Sequence, residues 1–172
     1  MTVPPAEFSR LVPLARLASG SCRRRIAAQP GERRALAARF GLVALDRLEA
    51  DVVLRRRAGG IVLLEAALEA EFVQSCVVTL EPVRNTVAER FALRYGRSEA
   101  AEADLIPAAE EATFEPLAGD AIDIGEAVAQ ELSLQLPPFP RLAGAAIEAD
   151  AENGPPAPAI AAVAKRRGRR PG

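Results

Sequence analysis

Histidine and tryptophan are both absent from the 172 residues. Without imidazole the chain lacks the usual proton shuttle near neutral pH, the commonest metal ligand and the base of most serine or cysteine triads, which speaks against ordinary hydrolase chemistry. Aromatic residues make up only 4%, so a core must be assembled from Leu, Val, Ile and Ala, each burying less area than a ring. Modest stability is the expectation. No stretch approaches the roughly 18 consecutive apolar residues of a membrane-spanning helix. The first 17 residues are broken by Pro4, Pro5, Glu7, Arg10, Pro13 and Arg16, which rules out a signal-peptide pattern there. The two cysteines, Cys22 and Cys76, are far apart and carry no export signal with them, so free thiols in a reducing compartment are expected. These absences describe a soluble cytoplasmic protein.

What is present is an ordinary globular balance, 49% hydrophobic and 26% charged, enough for one domain with a real core. The net charge of −1 hides an asymmetry. Residues 165–170 (KRRGRR) hold five positive charges, Lys165, Arg166, Arg167, Arg169 and Arg170, and no negative one. Removing those five leaves −6 for residues 1–164. An acidic body with a basic arm suggests contact with a polyanion.

Periodicity places the elements. Residues 8–14 and 22–28 read as two short strands. Pro30, the spacing of Leu36 and Phe40, and Gly41 at the left-handed cap position predict a helix over 31–40. Leu48, Ala50, Val52 and Leu54 alternate with Glu49, Asp51, Val53 and Arg55, and Leu64, Ala66, Leu68, Ala70 and Phe72 repeat the pattern after the Gly59-Gly60 pair. A β-hairpin over 47–73 follows. Residues 74–83 leave it through Pro82, and 86–95 alternate again as a strand. Residues 98–112, rich in Ala and Glu without an apolar face, read as an excursion. Asp123 with Glu126 forms a capping-box pattern ahead of Ile124, Val128 and Leu132, predicting a helix over 124–135 that Pro137, Pro138 and Pro140 end. From 145 to 172 the composition is that of a disordered extension. The expected fold is α+β: an antiparallel sheet, with partial closure into a barrel left open, two packed helices over residues 1–144, and a disordered basic tail over 145–172.

Three segments, 32–42 (ERRALAARFGL), 74–83 (QSCVVTLEPV) and 119–141 (GDAIDIGEAVAQELSLQLPPFPR), taken in this order and spacing, resemble the YceD family. The resemblance spans about residues 5–145. It implies a role in accumulation or processing of large-subunit ribosomal RNA in bacteria and plastids, with no established catalytic activity. It also implies a Cys-x-x-Cys pair at the hairpin exit. Cys76 fills the second position and Val73 stands at the first. A structural zinc site needs four N or S ligands, and with no His and only Cys22 in reserve this chain cannot assemble one alone.

Candidate chemistry is sparse, and no catalytic residue, cofactor or metal site is expected. Asp120, Asp123, Glu126 and Glu131 crowd one end and face of the last helix. Paired carboxylates holding a divalent ion for a nuclease or hydrolase are one reading, and capping with dipole complementarity, worth roughly 0.3–1 kcal/mol, is the favoured one. Cys76 reads as a buried small hydrophobe rather than a reactive thiol. Arg23, Arg24 and Arg25 read as a solvated strand face, since only two of three successive strand residues share a side. The tail residues Lys165, Arg166, Arg167, Arg169 and Arg170 are candidates to grip phosphates, with a purely solvated end as the alternative. The expected function is a non-enzymatic accessory protein of ribosome biogenesis. Its expected partner is precursor ribosomal RNA or an assembly protein, without membrane or small-molecule substrate. A structural module whose sheet edge accepts a partner strand is the third reading.

Overall fold

The computed structural model describes residues 6–18, 20–97, 112–117 and 119–144. Residues 98–111 of the expected excursion over 98–112, and the extension over 145–172 with all five tail cations, lie outside the described residues. The elements run β1 (Leu11–Pro13), β2 (Ser21–Ala27), α1 (Pro30–Phe40), β3 (Ala44–Arg56), β4 (Val62–Ser75), β5 (Pro82–Gly96), β6 (Thr113–Pro116), β7 (Ala121–Asp123) and α2 (Ile124–Gln135). Five strands form one sheet in the order β2-β3-β4-β5-β6, and β1 pairs separately with β7.

The expected hairpin is β3–β4. Leu48, Ala50, Val52 and Leu54 on one arm, and Leu64, Ala66, Leu68, Ala70 and Phe72 on the other, are all buried, while their neighbours along each strand lean outward. Gly59 and Gly60, at φ 72 and 77, turn the chain between the arms, angles that cost a side chain with a Cβ and cost glycine nothing. Helix α1 packs on β3, and α2 packs on β4 and β1, so the core lies between the helices and the inner face of the sheet. Gly41 caps α1 in the left-handed region at φ 64, as its position predicted.

Three expectations are corrected and one open alternative is decided. The sheet is not wholly antiparallel, because β6 joins β5 in parallel, Leu93 opposite Thr113 through Gly96 opposite Pro116. Closure into a barrel does not occur among the described residues: β2 and β6 are the two ends of an open sheet. The strand expected over 8–14 shrinks to Leu11–Pro13 and pairs with β7 rather than the main sheet, while Phe8 turns fully inward as a plug. Finally, β5 is longer than expected. Pro82, which lacks an N–H, is its first residue, a position where no ladder bond is forfeited.

Candidate functional site

The acidic residues nominated around α2 perform separate tasks. Asp123 caps the helix: its Oδ1 accepts from the N–H of Gly125 at 3.1 Å, Glu126 at 3.2 Å and Arg10 at 2.7 Å, and its Oδ2 accepts from the Ser9 hydroxyl at 2.5 Å. The capping box is only half made. Glu126 turns away from the cap, and its carboxylate is held from both sides by Arg39 of α1, at 2.8 and 3.0 Å. Glu131 accepts from Gln135 one turn on. Asp120 stands outside the helix, its carbonyl accepting from Leu14 N–H at 2.9 Å, and it lines a partly open cavity of about 450 Å³ together with Arg56 and Arg97. Among the described residues, no three His, Cys, Asp or Glu side chains converge as metal ligands would.

Two arginines that the sequence did not single out organise this end of the molecule. Arg10 donates to both oxygens of Glu32 at 2.7 and 2.9 Å, reaches the Ala27 carbonyl, and lies over the Phe8 ring at 4.7 Å. Glu32 in turn accepts from Gln29 N–H at 2.7 Å, so the arginine braces the start of α1. Arg39 bridges Glu7 and Glu126, tying the N-terminal segment to both helices. The Arg10 side chain is the main cause holding Glu32 below the usual carboxylate range. Gly125 completes the joint. A Cβ there would stand 2.4 Å from the Phe8 carbonyl oxygen, so only glycine lets the segment cross α2 this closely. The ion pairs of Arg10 and Arg39 link residues 22 to 87 positions apart, which local pattern cannot reveal.

Cys22 and Cys76 are both free, at opposite ends of the sheet. Cys22 pairs with Leu54, which faces Leu64, and Cys76 lies twelve residues further along the chain, on the order of 40 Å of extended chain, beyond any disulfide. Cys76 is fully covered, as expected, yet it sits in a peripheral turn where few atoms desolvate it. Hydrogen bonds from the Thr79 side chain first, then from the backbone amides of Leu142 and Thr79, lower its thiol to about 7. The turn itself is held by Leu80 N–H on the Cys76 carbonyl and by Val77 N–H on the Pro140 carbonyl, both at 2.9 Å.

The outer face of the sheet is a charged lattice. Arg25 pairs with Glu49, Arg47 with Glu49, Glu69 and Glu71, and Arg55 with Glu65. Such exposed pairs contribute little each. Arg23 and Arg25 share this face while Arg24 lies on the other, all three exposed, as the alternation of a strand requires.

An open mixed sheet roofed by two helices, its helix-end carboxylates spent on caps and ion pairs, defines a small α+β domain. The family model of YceD, described as large ribosomal RNA subunit accumulation protein YceD, matches residues 64–162. The chain belongs to the YceD family. The match includes two of the segments that first suggested it, 74–83 and 119–141, while 32–42 lies outside it. No curated protein and no solved structure matches the chain. No helix among the described residues is long and apolar enough to cross a membrane.

Proposed function

We propose that this chain is a non-enzymatic, cytoplasmic accessory protein of ribosome biogenesis that supports accumulation of the large-subunit ribosomal RNA by binding. Its partner is the precursor RNA or an assembly protein. The observation that carries this reading is the YceD match over residues 64–162. Action by binding is supported by the engagement of Asp123 and Glu126: three backbone amides and Ser9 occupy one carboxylate, and Arg39 grips the other. The −6 charge of residues 1–164 favours a protein surface over RNA as the partner of the folded part. Direct RNA contact then falls to Lys165, Arg166, Arg167, Arg169 and Arg170. With five phosphates neutralised, the log–log salt slope on single-stranded RNA is expected near about −3.5, roughly −0.7 per contact.

The test is depletion of the protein in growing cells, with crosslinking recovery of what it touches. The expected result is a fall of large-subunit RNA relative to small-subunit RNA, with precursor RNA or one assembly protein in the crosslinked material. Unchanged RNA levels, or divalent-ion-dependent RNA cleavage by the purified chain that Asp123→Ala abolishes, would overturn the reading.

A further inference from the structure

Strand β5 is paired on one side along nearly its whole length, Pro82 to Tyr95 against β4, but on the other side β6 covers only Leu93–Gly96. Among the described residues, 82–92 therefore offer one row of main-chain N–H and C=O groups to no strand. Exposed edges of this kind invite pairing unless they are blunted. The opposite edge, β2, is blunted: Arg23 and Arg25 stand on its outer face and Arg24 on its inner face. The β5 edge carries charge too, with Asn85 and the exposed Glu89 on its inner face, but there they alternate with Val87 and Phe91, which pack against the core yet are only half-buried because the helices roof β3 and β4. Its outer face carries Arg84, Thr86, Ala88 and Arg90, all exposed. Arg84 reaches only Asp46, at 3.3 Å, and Arg90 has no ion-pair partner among the described residues.

A second copy fits this edge badly. A two-fold pairing centred on Val87 sets Arg84 opposite Arg90 twice. One centred on Ala88 sets Val87 opposite Glu89 and Phe91 opposite Asn85. Like charges directly opposite one another are destabilising, and the second register sets Val87 against a carboxylate and Phe91 against an amide. We propose that residues 82–92 of β5 accept an extended segment of a partner protein by strand addition, with acidic residues opposite Arg84 and Arg90 and apolar residues opposite Val87 and Phe91. This rests on the reading that the chain acts by binding, and it selects an assembly protein as partner of the folded part. Main-chain bonds supply affinity and the alternating side chains supply selectivity. The two acids stand six residues apart, about 20 Å along the strand, and a basic residue between them answers Glu89.

The test uses the full chain and synthetic peptides. In the antiparallel direction the matching probe is Val-Glu-Lys-Ala-Val-Thr-Gln-Glu, and its reversed sequence serves the parallel direction that β6 already uses. A control peptide of each carries Lys at both Glu positions. The expected result is binding of at least one glutamate probe at least about tenfold tighter than its lysine control, with amide-exchange protection confined to 82–92. Arg84→Glu/Arg90→Glu, both exposed and distant from the core, is expected to reverse that preference without altering thermal unfolding.

Absence of binding, protection elsewhere, or a preference the double variant leaves unchanged overturns the proposal. So do self-association through 82–92 and loss of single-stranded RNA binding as the sole effect of the charge reversal. Cells separate this proposal from the reading beneath it. If depletion lowers large-subunit RNA and the double variant restores it fully, strand addition fails while the accessory role stands. If depletion changes nothing, the accessory role itself fails.

Discussion

The inner faces of β3 and β4 and the inner face of β5 belong to one sheet, yet they are finished differently. Every core position from Leu48 to Leu54 and from Leu64 to Phe72 is buried, whereas Val87, Phe91 and Leu93, their partners across the ladder, remain half-buried. The cause is the placing of cover: α1 lies on β3, α2 on β4 and β1, and the N-terminal segment is fastened across both helices by Arg10 and Arg39. One side of the sheet is spent on stability, and the other is left partly uncovered. The carboxylates that looked chemical in the sequence serve the first side.

The largest effect expected from breaking this contrast is at Leu64. Leu64→Ala empties a fully buried site and is expected to cost about 3–4 kcal/mol in denaturant unfolding, against about 1–2 kcal/mol for Phe91→Ala on the half-covered strand. Equal costs would mean that β5 is as closed as β4. Asp123→Ala is next. It removes a cap and leaves the Arg10 amide without its partner, for about 1–2 kcal/mol, with large-subunit RNA accumulation unchanged at temperatures where the variant stays folded.

Acid titration gives a smaller effect. Glu32 is held below its ordinary 4.5, chiefly by Arg10, so its contribution is complete above that value and is lost as the pH falls through the lower, folded one. Glu32→Gln is expected to flatten the stability profile in that acid window and leave its slope above pH 5 unaltered. The smallest effect concerns Cys76. Its alkylation is expected to rise with a midpoint near pH 7 but to remain slow throughout, because the thiol is lowered to about 7 while fully covered. Fast stoichiometric labelling at Cys76 of the native chain, as distinct from the half-exposed Cys22, would contradict the buried assignment.

The stability side of the molecule was legible in the sequence where the signal is local. Alternation around Val52 and Leu68, the Gly59-Gly60 turn, the Asp123 cap and the four-residue spacing of Ile124, Val128 and Leu132 each lie within one element, and each is found in place. What was hidden is non-local. The parallel pairing of β6 with β5 is set by residues twenty apart with no shared pattern. Arg10 and Arg39 look like any exposed arginine until the fold brings Glu32, Glu7 and Glu126 to them. The half-open face of β5 was illegible for a related reason. Val87 and Phe91 alternate just as buried residues do, and only the positions of the helices decide how far they are covered.

Residue-resolved amide exchange on the isolated full chain tests the contrast most directly. The expected pattern is uniform protection along β4 and along residues 49–55 of β3, and along residues 82–92 a two-residue alternation in which amides turned to β4 are slow and those turned outward are fast. Uniformly slow exchange over 82–92 would mean that the edge is already occupied, and the account of an open side would be wrong.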